Sequence, residues 1–149
     1  MQRRNLIRLA FAGAASGILM PKVVLAKADP TSGERANPMA GGLFYTKDAP
    51  GRWKGKEKGH VPIIETGIDR KSGKVSVQVA TGHEMKGFDH YIIKHILLDG
   101  DYRFLAEKMF DPAKDKAPIS NFSLETYSGP IFALSVCNKH DTWLGIGKV

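Results

Sequence analysis

From Lys74 to Ala80 polar and apolar residues alternate without a break: Val75, Val77 and Val79 fall on one side, Lys74, Ser76 and Gln78 on the other. A period of two marks a half-buried strand, and Asp69-Arg70-Lys71-Ser72-Gly73 just ahead has the composition of a turn. His60-Val61-Pro62-Ile63-Ile64-Glu65 reads as a short strand with proline near its start, where a missing N–H is tolerated. Tyr91 to Leu98, opened by His90 and closed by the Asp99-Gly100 turn, reads as another. Residues 101–110 fit two patterns: Tyr102, Phe104 and Ala106 alternate, yet Leu105 to Phe110 would also suit one helical turn. Asp111 to Ala117 is charged and contains proline, hence loop. Ser120 to Tyr127 predicts a further strand, turned at Ser128-Gly129-Pro130 into the apolar run Ile131 to Val136, a buried strand. The pattern of about six or seven short strands, with turns roughly every 8–15 residues and no long helix, predicts an all-β fold, an immunoglobulin-like antiparallel β-sandwich of about seven strands.

The chain ahead of these strands is patterned differently. Arg3-Arg4-Asn5-Leu6-Ile7-Arg8 is a twin-arginine pattern, followed by the apolar run Leu9 to Met20 and a small-residue cleavage site at Ala26, or at Ala28. That run, about 12 residues, is too short to span a bilayer, so no membrane span is expected after processing. Residues 27–59 hold most of the turn formers (Pro30, Pro38, Gly41, Gly42, Pro50, Gly51, Gly55), with Leu43-Phe44-Tyr45 and Trp53 as points where the segment docks on the core. The expected organisation is a twin-arginine signal peptide over 1–26, an N-terminal arm over 27–51 and the sandwich domain over 52–149. Twin-arginine export carries folded proteins, often already metal-loaded, and places the mature protein in the periplasm.

Charge changes the picture only after that division. The whole chain carries 22 Lys+Arg against 15 Asp+Glu, a net +7. Arg3, Arg4, Arg8 and Lys22 lie in residues 1–26, which hold no acid, so the remainder has 18 against 15, or +3. A surplus that small argues against a nucleic-acid partner, although it helps steer a small anion.

The candidate chemistry lies in the histidines and the lone thiol. Cys137 is the only cysteine, which excludes an intramolecular disulfide. Alone, it is equally at home as a small buried core residue. Three residues on, however, stands His140, close enough in sequence for thiolate and imidazole to share one metal ion. His60, His83 and His90 fall at strand starts and loops, where a sandwich collects its functional groups. Strand parity puts His95 with Tyr91 and Ile93, opposite His90, Ile92, Lys94 and Ile96, which removes His95 from the set. A set of four imidazoles and one thiolate suits iron or copper. Structural zinc closes a tetrahedron with four ligands, whereas five in a square pyramid leave a sixth position open for reaction. A cupredoxin-like electron-transfer protein also uses a sandwich and a Cys–His pair, but it expects a methionine shortly after the last histidine, and none follows His140. A non-catalytic periplasmic metal-binding module is the other alternative.

Three stretches, in order, resemble the superoxide reductases, the neelaredoxin/desulfoferrodoxin family. Glu57-Lys58-Gly59-His60-Val61-Pro62 is similar to the family's E-K-H-V-P, His83…His90-Tyr91-Ile92 to its H-P-x-x-x-x-H-Y-I, and Cys137-Asn138-x-His140-x-x-Trp143 to its C-N-x-H-G-x-W. The resemblance runs over about residues 52–146. The family's four-cysteine module needs cysteines this chain lacks, so the match is to the one-iron class. The resemblance implies one ferrous/ferric iron per chain, held equatorially by His60, His83, His90 and His140 with Cys137 as axial ligand. It implies that superoxide is reduced by one electron and leaves as hydrogen peroxide, the electron coming from an unidentified donor protein. It further implies Lys58 as a cation beside the open position and Glu57 as the counterpart of a glutamate able to occupy it, in a motif interrupted by Gly59. Glu84 replaces the family's proline, the His83–His90 interval is one residue longer, and Asp141 stands where the family has glycine. A homo-oligomer is compatible with these features.

Overall fold

The structure is a computed structural model and describes residues 37–149. The expected signal peptide and cleavage site and the first part of the expected arm lie outside the described residues. Seven strands follow one another: β1 (Ile63–Ile68), β2 (Val75–Ala80), β3 (Ile92–Leu98), β4 (Phe104–Met109), β5 (Ile119–Leu124), β6 (Pro130–Cys137) and β7 (Asp141–Lys148). They form two antiparallel sheets, β1-β2-β5 and β4-β3-β6-β7. This is the order of the immunoglobulin sandwich with the fourth strand carried on the second sheet. Among the described residues no helix is long and apolar enough to cross a membrane.

The alternation in β2 does what a period of two must do. Val75, Val77 and Val79 are buried and meet Leu97, Ile131 and Ala133 of the other sheet. The segment 101–110 resolves as strand β4, paired with β3 rather than coiled into a turn. Ser120–Tyr127 contracts to Ile119–Leu124.

Three readings of local structure are corrected. His60 does not open a strand: it ends a one-turn helix, α1 (Glu57–His60), because the residue before Pro62 is pushed out of helical geometry and Val61 is extended. β7 was not foreseen, since its glycines break any recognisable alternation. Their backbones instead lie under β1: a Cβ at Gly145 would run into the Pro62 carbonyl, and one at Gly147 would come within 2.9 Å of Ile64. The strand β3 also does not keep strict parity. A bulge between Ile92 and Lys94 resets the alternation, so Ile92, His95 and Leu97 all point inward. His95 therefore lies in the inter-sheet core and not on the face assigned from its spacing.

The arm docks as expected at Tyr45, which is buried, pairs with Trp143 and exchanges backbone hydrogen bonds with Thr142 and Leu144. Leu43 does not dock, being 73% exposed.

Candidate metal centre

Three segments bring ligand atoms to one end of the sandwich. The first is α1. Its backbone bonds run from Gly59 N to the Lys56 carbonyl and from Val61 N to the Glu57 carbonyl, so Gly59 is absorbed within the turn. The Lys56 carbonyl also faces His60 Nδ1 at 2.8 Å. A carbonyl can only accept, so the His60 proton sits on Nδ1 and Nε2 presents a lone pair. Gly82 lets this turn come close to the next segment, since a Cβ there would lie 3.2 Å from the Lys58 carbonyl. His83 follows immediately.

The second segment is the loop from His83 to His90. It closes on itself through Lys86 N donating to the His90 carbonyl at 2.9 Å, with Gly87 at φ 57° making the turn. The third is the hairpin β6–β7, which carries Cys137 at the end of β6 and His140 in the turn. Asn138 joins the last two segments: its side-chain oxygen accepts from Tyr91 N at 3.0 Å and its amide donates to the Asp89 carbonyl at 3.0 Å. Asn138 was visible in the sequence only as a motif position, because its partners are about fifty residues away.

The five ligand atoms of His60, His83, His90, Cys137 and His140 lie within 4.8 Å of one another. Three consecutive contacts are 3.0 Å long: His83 Nε2 to His90 Nε2, His90 Nε2 to His140 Nδ1, and His140 Nδ1 to His60 Nε2. Such a run fits three sides of a square, whose centre would be about 2.1 Å from each corner, the length of a metal–imidazole bond. A tetrahedron on the same bond length would hold its nitrogens about 3.4 Å apart. Cys137 Sγ is 3.3, 3.7 and 3.9 Å from the nitrogens of His90, His140 and His83. A point at similar distance from three corners of such a square lies near its axis, so the sulfur stands off the plane of the nitrogens. His95 is outside this group, as expected, though for the different reason given above.

The electrostatics fit a cation. Burial lowers the pKa of His60, His83, His90 and His140, that of His83 to about 4, so all four are neutral at pH 7 with lone pairs available. Two neutral rings 3.0 Å apart can share one N–H, but His90 Nε2 and His140 Nδ1 each face two neighbours at that distance, an arrangement that a central cation would satisfy for every ring. Burial likewise pushes the Cys137 thiol up, against the pull of the Lys139 and His140 amides. A metal ion in the cluster would supply the charge needed to deprotonate it. Lys139 N already points at Sγ, at 3.4 Å.

Glu57 and Lys58 stand outside the cluster. The Glu57 carboxylate accepts from Gly55 N at 2.9 Å, and that bond, with its own amide, lowers its pKa. Lys58 is exposed and makes no ion pair among the described residues. Two neighbouring lysines are paired, Lys86 with Glu84 at 2.9 Å and Lys139 with Asp89 at 2.8 Å.

An antiparallel sandwich whose loop end gathers four imidazoles around one thiol has a side-chain cluster able to hold a metal ion. The comparisons with known proteins say which kind of protein carries it. The desulfoferrodoxin family model matches residues 52–145, and the chain belongs to this family, that of the superoxide reductases. Among solved structures, a variant of the superoxide reductase (neelaredoxin) from Ignicoccus hospitalis is 27% identical, covers 72% of this chain and 93% of its own, and has a TM-score of 0.61. The reduced form of the superoxide reductase (neelaredoxin) from Archaeoglobus fulgidus is 26% identical, covers 72% and 98%, and has a TM-score of 0.55. A superoxide reductase in the oxidised state is 27% identical, covers 65% and 91%, and has a TM-score of 0.53. No curated protein sequence matches.

Proposed function

We propose that the chain is a superoxide reductase. Its five-ligand centre holds one iron and reduces superoxide to hydrogen peroxide, consuming one electron from a donor protein and two protons per superoxide. The observation that carries this reading is the run of imidazole nitrogens 3.0 Å apart with the Cys137 sulfur to one side of them, an arrangement whose other side would take a small anion. Iron held by the four imidazoles and the Cys137 sulfur would supply the one-electron couple.

The chain's own residues set up the rest. The Lys56 carbonyl fixes the His60 tautomer. The Lys139 amide donates to Cys137 Sγ, which favours the thiolate over the thiol. Asn138 ties the Cys137–His140 turn to the His90 loop, so three ligands move as one body. Lys58, on the helical turn that carries His60, is one of the cations assigned to draw superoxide in. Glu57, bonded to Gly55, is assigned a hold on that turn and, on release, the open position. Residues 1–26 would send the protein to the periplasm by the twin-arginine route, which fractionation of cells expressing an Arg3→Lys, Arg4→Lys variant checks by cytoplasmic retention.

Metal analysis with a visible spectrum tests the centre. About one iron per chain is expected, with a cysteine-to-iron charge-transfer band in the oxidised protein that Cys137→Ser abolishes. With a reductant present, superoxide should yield one hydrogen peroxide each and no dioxygen. Dioxygen release would mean dismutation and defeat the reductase reading.

A further inference from the structure

Asp141 does more than fill the turn after His140. Its carboxylate accepts from Trp53 Nε1 at 2.8 Å and also from the Arg52 guanidinium, which lies 89 residues earlier in the chain. Arg52 in turn sits over the Trp53 ring, 5.1 Å from its centroid. The Trp53 ring stands edge-on to the His140 imidazole, with centroids 4.8 Å apart at 84°. Segment 51–53 leads directly into α1 and His60, whereas Asp141 follows His140 and opens β7.

We infer that Arg52, Trp53 and Asp141 form a clamp that holds the His60 and His140 segments at ligand spacing independently of the metal, making Asp141 a positioning residue for the centre. The inference rests on the metal-centre reading. His60 has its own orienting bond, to the Lys56 carbonyl. Among the described residues His140 has none from its second ring nitrogen, so its ring is steadied by the Trp53 edge, and Trp53 is steadied by Asp141. Such outer contacts ordinarily affect metal affinity by ten- to a hundred-fold. The ion pair itself, with side chains 66% and 40% exposed, adds little stability, so its contribution is geometric.

The backbone separates this role from that of a turn former. Asp141 has φ 61°, in the left-handed region that glycine adopts most easily and that aspartate tolerates better than most residues with a Cβ. If Asp141 served only the turn, Asp141→Gly would be neutral or better. If it serves the clamp, the same change relaxes the turn and loosens the metal.

The experiment loads wild type and variants with iron and follows its removal by excess chelator through the charge-transfer band, alongside thermal melting of the metal-free proteins. We expect Asp141→Gly to lose iron about ten-fold faster or more while its metal-free melting changes by only a few degrees. Asp141→Asn keeps one acceptor for the indole and should fall between. Trp53→Phe keeps the ring but loses the donor and should fall between as well. An Asp141→Gly rate equal to wild type overturns the clamp and leaves the metal centre standing. A wild type that takes up no iron at Cys137 overturns the metal-centre reading, and the clamp with it.

Discussion

His95 shows how one residue can be excluded from a metal site and still govern the fold. It is fully buried, with Nδ1 2.8 Å from Ser120 Oγ and Nε2 2.9 Å from Thr81 Oγ1, which donates in turn to Ser135 Oγ. These four side chains span both sheets, and two of them precede ligands by two residues: Thr81 before His83, Ser135 before Cys137. Burial lowers the His95 pKa to about 4 from an ordinary value of 6.5. The unfolded chain therefore binds more protons between those pH values. The stability from a neutral His95 is complete above pH 6.5 and disappears as pH falls towards 4. Between pH 7 and pH 5 that loss is on the order of 2 kcal/mol for this one group. Denaturant titration of metal-free wild type and His95→Gln at the two pH values should show wild type losing about that much more than the variant, the other histidines cancelling in the difference. Equal losses would mean that His95 does not titrate as a buried neutral imidazole. Its place outside the ligand set was expected from the sequence, on a strand parity that the structure does not keep. Its inward direction was not, because a bulge depends on how β3 pairs with β6 and leaves no mark in the alternation.

At the scale of elements, the strands with clean alternation could be read directly: the three valines of β2 face the core as their spacing demands. β7 could not, because what makes it a strand is its fit to another sheet. Gly145 is buried where β7 passes under the start of β1, and any Cβ there meets the Pro62 carbonyl. Pro62 stands two residues from His60, so this packing also sets the height of one ligand-bearing segment. Gly145→Ala must displace backbone on one side or the other, a strain of about 1–3 kcal/mol. At Gly147 the nearest atoms belong to the Ile64 side chain, which can turn away. Melting temperatures and iron content should therefore both fall for Gly145→Ala, and by clearly less for Gly147→Ala. Equal effects would mean that β1 does not rest on β7 through the proline. The ligand histidines were legible because their residue types are scarce in the chain. The elements holding them were less so: Glu57-Lys58-Gly59 was read as the end of a loop and His60 as the start of a strand, because Gly59 and the nearby Pro62 count against helix and a single turn has no periodicity, and only its backbone bonds and the stop at Pro62 define α1.

For the molecule as a whole, the question is how a modest net charge is laid out around the site. Without residues 1–26 the surplus is only +3, yet its distribution near the metal centre is uneven. Arg52, Lys86 and Lys139 are each neutralised by a carboxylate, those of Asp141, Glu84 and Asp89. On the segment leading into His60, by contrast, Lys54, Lys56 and Lys58 are exposed and form no ion pair among the described residues, against the single carboxylate of Glu57. A small anion approaching the open face therefore meets uncompensated positive charge on one side. The field of several lysines adds, but each exposed ammonium is screened beyond a Debye length of about 10 Å at 0.1 M salt. Gly59 separates Lys58 from His60 by one residue, so no single lysine is fixed at the open position by the chain alone. Capture of superoxide should accordingly be shared. Lys58→Ala should slow the second-order reaction only modestly, by about two- to three-fold, whereas Lys54, Lys56 and Lys58 all changed to Ala should slow it by about ten-fold and flatten its dependence on ionic strength. Pulse radiolysis at several salt concentrations measures both quantities. A Lys58→Ala loss as large as the triple variant's would assign capture to that one ammonium, held in place despite Gly59. Unchanged rates and slopes in the triple variant would remove the segment from capture altogether, and the positive charge felt by superoxide would then have to come from the metal centre itself.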